Sequence, residues 1–232
     1  MYTALITGAN RGIGLELARQ YAMDGWRVLA CCRNPDSAEA LKQLTTQYPG
    51  QVQIRALDVA DINQVDTLSK TLAHEAIDVL INNAGIYPHA DGKGFGHTDY
   101  AEWMRAFQVN TMAPLRMAEC FIEQVARSKL KIIATISSMM GSIDDNTSGG
   151  SYLYRSSKAA VNMVNKSLAL DLQSRGITAV VFNPGWVKTD MGGPNAMITV
   201  QQSVAGLRKV IGNLGQADSG KFFDYDGRKL PW

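Results

Sequence analysis

The sequence predicts an α/β fold, a single domain over residues 1–232 built on a doubly wound parallel sheet with helices on both faces. Three observations predict it. A β-prone run, Thr3 to Thr7, leads directly into Gly8-Ala9-Asn10-Arg11-Gly12-Ile13-Gly14 and then an amphipathic segment, Leu15 to Met23. Short apolar runs then alternate with amphipathic segments along the chain, as when parallel strands are buried under crossover helices. A composition of 46% hydrophobic and 19% charged residues over 232 positions suits one domain with a core large enough for such a sheet.

Strand, glycine turn and helix in this order form a phosphate-binding corner. Small residues let the backbone approach a pyrophosphate, and a helix N-terminus offers N–H groups and the positive end of its dipole. Arg27 to Cys32 reads as the second strand. A fold that selects NAD carries an acid about 20 residues beyond the glycines, to bind the ribose 2′-hydroxyl. Cys31-Cys32-Arg33 stands there instead, and the first carboxylate is Asp36. Arg33 offers a planar, permanent charge to a 2′-phosphate, with Arg11 placed to assist, so NADP(H) is the expected cofactor.

The next elements read as helix from Asp36 to Gln47, strand from Gln51 to Leu57, helix from Asp61 to His74 and strand from Ile77 to Ile81. Asp58-Val59 and Asn82-Asn83-Ala84-Gly85 follow the ends of two strands, where a parallel sheet opens its ligand crevice. Tyr87 to Asp99 is glycine-rich and reads as a loop. His89 and His97 within it lack a third ligand, so no metal site is expected. A helical pattern runs from Tyr100 to Ser128, with Pro114 expected to break it or to start a new helix, and Asn110 just ahead. Leu130 to Ile136 is a strand ending at Ser137-Ser138. After the helical run that extends to Gln173, Ile177 to Phe182 is the next strand, followed by Asn183-Pro184-Gly185-Trp186-Val187-Lys188-Thr189. A helical segment near Val200 and a last strand from Lys221 to Asp224 complete the pattern.

Tyr154 and Lys158 open the helical run after the serines. Four residues apart, they share one helical face. A phenol with a pKa of about 10 is a poor acid near neutrality, and a nearby ammonium lowers it. Tyr154 is therefore a candidate acid/base. Tyr225 and Lys229 have the same interval but bracket an Asp-Gly turn, which argues against a shared face.

Other properties exclude classes. A formal charge of +2 provides no field suited to nucleic acid. No apolar run is long enough to span a membrane, and the N-terminus enters a strand-like segment without the basic region or cleavage site of a signal peptide. Cys31, Cys32 and Cys120 match neither a disulfide framework nor a Cys-x-x-Cys metal site. A cytoplasmic protein is expected.

Taken together, Thr7 to Gly14, Asp58-Val59, Asn82 to Gly85, Asn110, Ser137-Ser138, Tyr154-x-x-x-Lys158 and Pro184-Gly185-x-Val187-x-Thr189 resemble the short-chain dehydrogenase/reductase family from Thr3 to Gly227. Gly141 to Gly150 and Phe222 to Gly227 further resemble the C-factor/sniffer-like carbonyl reductases within it. The resemblance implies a catalytic group of Asn110, Ser138, Tyr154 and Lys158. Tyr154 would be the acid in carbonyl reduction, Lys158 would lower its pKa and bind the nicotinamide ribose, Ser138 would donate to the substrate oxygen, and Asn110 would hold a water. It also implies that Gly8, Asn10, Arg11, Gly12, Ile13, Gly14, Arg33, Asp58, Val59, Asn83, Ala84, Gly85, Pro184, Gly185, Val187 and Thr189 join Tyr154 and Lys158 around the cofactor. Asp58 would face the adenine, with Thr189 and the Val187 backbone on the carboxamide.

Ser138 precedes Tyr154 by sixteen residues, more than in many family members, and Asp144 to Gly150 reads as the insertion. Because it follows the strand directly, Ser138 ranks above Ser137 and Ser142. The lid after Thr189 is short, which implies an open pocket bordered by Met139, Met140, Ile86, Tyr87 and Trp186. The expected activity is NADPH-dependent reduction of a small carbonyl compound by a homodimer or homotetramer. The alternative is an NADP(H)-binding signalling or redox-sensing protein. An epimerase or dehydratase using the same pair would need a larger substrate domain.

Overall fold

The computed structural model describes residues 1–88 and 94–232. His89 and Gly92 therefore lie outside the described residues. Seven strands, β1 (Thr3–Thr7), β2 (Arg27–Cys32), β3 (Val52–Ala56), β4 (Val79–Asn82), β5 (Ile132–Ile136), β6 (Thr178–Asn183) and β7 (Phe222–Asp224), form one sheet in the order β3-β2-β1-β4-β5-β6-β7. Every pairing is parallel. β1, β4, β5 and β6 are buried at every position. This is why they read as continuous apolar runs rather than as alternating ones.

Among the described residues seven α-helices connect the strands: α1 (Gly12–Met23), α2 (Glu39–Gln47), α3 (Ile62–Thr71), α4 (Tyr100–Phe107), α5 (Ala113–Ala126), α6 (Tyr152–Asp171) and α7 (Val200–Ile211). Alternation along the strands divides the core between the two faces. Ala4, Ile6, Val28 and Ala30 pack with Leu17, Leu41 and Leu207 under α1, α2 and α7. Leu5, Leu29 and Leu80 pack with Val65, Phe121 and Ala169 under α3, α5 and α6. Among the described residues no helix is long and apolar enough to cross a membrane.

Two helices differ from the sequence pattern. The run from Asp36 starts as a 3₁₀ turn, Pro35–Ser37, and becomes α-helical only at Glu39. The run from Tyr100 is interrupted by a π-helical turn, Gln108–Met112, ahead of α5, and Pro114 sits in the first turn of α5. The first turn suits proline, because its missing N–H is not needed there. Tyr225 and Lys229 lie in the turn after β7, where Gly227 has a φ of 95° and Lys229 bridges back to Phe223.

β1 and β4 are neighbours, but the chain leaves them toward opposite edges of the sheet. The crevice at their carboxyl ends is the switch point where a doubly wound sheet takes its ligand.

Candidate functional site

The crevice floor is closed by polar contacts between the ends of β1 and β4. The Thr7 hydroxyl accepts the N–H groups of Asn83 and Ala84, each at 3.0 Å. Asn83 Nδ2 donates to the carbonyls of Thr7 (2.9 Å) and Gly8 (3.2 Å). Asn83, expected at the cofactor, thus spends its side-chain donors on the shape of the crevice. Gly8 and Gly12 have φ of 65° and 54°, which favour glycine. At Gly14 a Cβ would lie 2.3 Å from the Gly8 carbonyl oxygen and 2.5 Å from Asn83 Nδ2. The three glycines let the loop bend and α1 pack tightly against it. α1 has neither a side-chain cap nor an acid in its first turn, so its N-terminal amides face the crevice without a competing anion. A pyrophosphate fits this cradle.

The loop after β6 forms the opposite bank. Gly185 has a φ of 81°, the Pro184 carbonyl accepts the Ser203 hydroxyl (2.6 Å), and Val187 is buried and bridged to Ile198. The Thr189 hydroxyl accepts the Gly192 N–H at 3.1 Å, and the Trp186 indole donates to the Gly192 carbonyl at 2.8 Å, which fold the short lid onto itself. The banks meet where a Cβ on Gly12 would lie 3.3 Å from Thr189 Cγ2. Arg11, expected to assist at a phosphate, forms an exposed ion pair with Asp190 at 2.6 Å. Arg33 is exposed just past β2, and Asn10 is also exposed. Asp58 closes its own turn by accepting the Ala60 N–H at 3.0 Å, Val59 packs on the core, and Ile13 packs against the core from α1.

Asn110, Ser138, Tyr154 and Lys158 converge from three elements. The π turn projects Asn110 inward, as such single turns often do at functional sites. Its Oδ1 accepts the Ile86 N–H (2.9 Å), and its Nδ2 donates to the Ile86 carbonyl (2.9 Å) and to Ser157 Oγ (3.0 Å). Both Nδ2 hydrogens of Asn110 are therefore spent on protein groups, while its Oδ1 accepts one bond and keeps a second lone pair. Near it, a Cβ on Gly85 would lie 3.3 Å from Asn110 Oδ1 and 3.5 Å from Lys158 Nζ. Ser138 caps the 3₁₀ turn Met139–Gly141, with its Oγ accepting the Met140 N–H at 3.1 Å, and it hydrogen-bonds Tyr154. Ser137 is buried and turned to the Lys158 carbonyl (3.4 Å), and Ser142 bonds the Trp232 main-chain oxygen (2.9 Å). Of the three serines, Ser138 is the one paired with Tyr154.

Lys158 Nζ lies 5.6 Å from the Tyr154 ring centroid and donates to the Ile136 carbonyl at 3.0 Å. Burial pushes the Lys158 ammonium down to about 8. Burial also pushes the Tyr154 phenol up to about 12, against the lowering pull of the Ser138 hydrogen bond and with the help of Tyr87. The spacing argument expected Lys158 to hold the phenol down. Within the protein alone desolvation is the larger effect, because both groups lie on the buried face of α6 away from water. At neutral pH the phenol therefore holds its proton.

Tyr87, expected at the border of the pocket, has a second part that the sequence did not reveal. Its ring packs on Tyr154 (4.7 Å between centroids), and its hydroxyl bonds Ser151 Oγ at 2.8 Å. Ser151 adopts the left-handed region (φ 44°, ψ 44°) immediately before α6. Ser157 and Asp190 are likewise residues that only tertiary contact brings to the site, and Thr7, part of the glycine motif in the sequence, gains its bonds to Asn83 and Ala84. Met139 and Met140 are partly buried beside Tyr154, while Trp186, Met191 and Met197 are exposed around the lid. No cluster of metal-ligating side chains occurs among the described residues.

Comparison with known proteins agrees with this fold. The family described as short chain dehydrogenase matches residues 2–213. The C-signal protein of Myxococcus xanthus is 44% identical over 156 residues, covering 67% of this chain and 93% of that protein. Among solved structures, the carbonyl reductase Sniffer of D. melanogaster superposes with a TM-score of 0.92 at 33% identity, with both chains fully covered. The NADPH-bound carbonyl reductase from chicken fatty liver gives 0.90 at 33% identity, covering 100% of this chain and 99% of that one. With its parallel sheet, its glycine crevice and a family match across nearly its whole length, the chain belongs to the short-chain dehydrogenase family of oxidoreductases.

Proposed function

We propose that the protein is an NADPH-dependent carbonyl reductase in which Tyr154 is the general acid. One observation carries the reading. A protonated phenol, a serine hydroxyl bonded to it and a buried lysine meet beside a glycine-lined crevice. The NADPH-bound carbonyl reductase among the structural neighbours supports the choice of cofactor. So do Arg33 and the missing acid after β2.

When bound, the dinucleotide supplies the hydride that reduces the carbonyl carbon. Tyr154 gives its proton to the carbonyl oxygen, and the Ser138 hydroxyl donates a hydrogen bond to that oxygen as negative charge grows there. Ser138 Oγ accepts from Met140, and the O–H that it now shares with Tyr154 would turn to the substrate oxygen. Lys158 binds the nicotinamide ribose and favours the phenolate once the proton has gone. Asn110 holds the Ile86 and Ser157 side of this group, from which a water would return the proton. Arg33 takes the 2′-phosphate, Gly8 to Gly14 the pyrophosphate, Asp58 and Val59 the adenine, and Asn83 to Gly85 with Pro184 to Thr189 the nicotinamide side. The exposed Trp186, Met191 and Met197 suit an open, apolar substrate entrance. Association of two or four copies through α5 and α6 is part of the reading, with Met163 and Leu170 exposed on α6.

The test is NADPH oxidation against a panel of aldehydes, ketones and diketones, with NADH alongside. Turnover that favours NADPH is expected. The C-signal relative favours a second reading, an NADP(H)-binding signalling protein. Tight NADPH binding with no turnover on any compound would select it.

A further inference from the structure

The turn that Ser138 caps is gripped at its start by β6, backed by the last strand, and at its end by the segment after that strand. At its start, the Met139 N–H donates to Asn183 Oδ1 at 3.0 Å, and Asn183 Nδ2 donates to Asp224 Oδ1 at 2.8 Å. The second Asp224 oxygen takes Arg228 at 2.6 Å. Asn183 and Asp224 face each other across the β6–β7 ladder and are 9% and 4% exposed. At the end of the turn, the Ser142 hydroxyl (2.9 Å) and the N–H groups of Ile143 (2.7 Å) and Asp144 (3.1 Å) converge on the main-chain oxygen of Trp232. The Trp232 indole stacks on Phe222 at 5.7 Å, and the Leu230 N–H donates to the Phe222 carbonyl at 2.9 Å. Between these grips Gly141 presses on α6, where a Cβ would lie 2.8 Å from the Lys158 carbonyl carbon.

A buried carboxylate and carboxamide need hydrogen-bonding partners in any fold. Here the relay ends on the amide next to Ser138, and the second grip fixes the far end of the same short turn. We propose that Asp224, through Asn183, and Trp232, whose indole stack on Phe222 holds its main-chain oxygen in place, are positioning residues. They set where the Ser138 hydroxyl stands relative to Tyr154. The inference rests on the carbonyl reductase reading for its effect on turnover, but not for the mechanical link. Neither residue touches the reacting atoms, so their loss acts on geometry, where a displacement of about 1 Å can cost about 100-fold in rate.

The test uses Asp224→Ala, Asp224→Asn and Trp232→Ala in the full chain, with two readouts. Hydrogen exchange followed by mass spectrometry should quicken about 10-fold or more across residues 139–144 in Asp224→Ala and Trp232→Ala, while β5 keeps its protection. In steady state, kcat should fall about 10- to 100-fold with little change in carbonyl KM or NADPH affinity. Asp224→Asn, which keeps an acceptor for Asn183, should recover most of it. Unchanged exchange in the turn, or a loosened turn with full kcat, overturns the proposal. If wild-type protein turns over no carbonyl compound, the reductase reading fails, while the exchange readout still decides whether this segment holds the turn. Trp232 is 40% exposed, so its variant keeps the test open if Asp224→Ala does not fold.

Discussion

Replacing Lys158 by methionine should make the protein more stable and less active. Lys158 is 4% exposed, and burial lowers its pKa from an ordinary 10.5 to about 8. Each tenfold change in a protonation constant is worth about 1.4 kcal/mol, so holding the ammonium in the folded state costs about 3 kcal/mol at neutral pH. Methionine has similar length and no charge. It gives up the 3.0 Å bond to the Ile136 carbonyl, which returns about 1 kcal/mol of that gain. The net expectation at pH 7 is about 2 kcal/mol of added stability, or roughly 4–8 °C in Tm.

The sign with pH follows from proton binding. Below pH 8 the folded and unfolded states both hold the proton, and the wild type bears the full cost. Between pH 8 and 10.5 the folded protein releases it first, the unfolded chain binds more protons, and wild-type stability rises relative to the variant. Urea denaturation of both proteins at pH 7 and pH 10 measures the difference. Tyr154 and Cys31, each pushed up to about 12 by burial, are common to both proteins and cancel. A variant that is less stable at pH 7, or a gap that is equal at both pH values, would refute the reasoning. The accompanying loss of turnover would make Lys158 a residue kept for activity against stability.

Other perturbations test other parts of the site. Tyr154→Phe should reduce carbonyl turnover by about 100- to 10,000-fold, as expected for loss of a general acid, with NADPH affinity by fluorescence titration nearly unchanged; retained activity would move the acid elsewhere. Arg33→Asp should weaken NADPH by about 10-fold or more and leave NADH within a few-fold, because only the former loses a charge-assisted contact. An unchanged preference in kcat/KM would remove Arg33 from the phosphate site. Gly14→Ala forces a Cβ to within 2.3 Å of the Gly8 carbonyl oxygen. It should cost about 1–3 kcal/mol by overpacking, and calorimetry showing an unshifted Tm would contradict the tight loop geometry.

Much of the fold is legible in the sequence where burial is uniform. The bounds of β1 and β2 coincide with the apolar runs Thr3 to Thr7 and Arg27 to Cys32, because strands covered on both faces leave no polar alternation to blur their ends. The π turn at Gln108–Met112 has no such signal. Its five residues suit an α-helix, and only the pull of Ile86 and Ser157 on Asn110 reveals the inserted residue. In the candidate site, the Tyr154 and Lys158 spacing places both on one helix, but spacing says nothing of desolvation, which reverses the expected direction for the phenol. Arg11 finds a partner 179 positions away and Asn183 one 41 away. Contacts of that range follow from the order of strands, not from any local pattern.

Ser151 follows Gly149 and Gly150, and all three have positive φ. A side chain in that region costs about 1–2 kcal/mol, and glycine would remove the strain. Glycine would also give the unfolded chain about 0.5–1 kcal/mol more freedom to lose. The about 0.5–1 kcal/mol left in favour of glycine is offset by the lost bond to the Tyr87 hydroxyl, about 0.5–1.5 kcal/mol, so thermal endurance scarcely distinguishes serine from glycine here. What differs is the hydroxyl tether on Tyr87, whose ring lies against the acid. A laboratory selection for heat resistance would be almost blind to position 151, whereas a selection for turnover would read it directly.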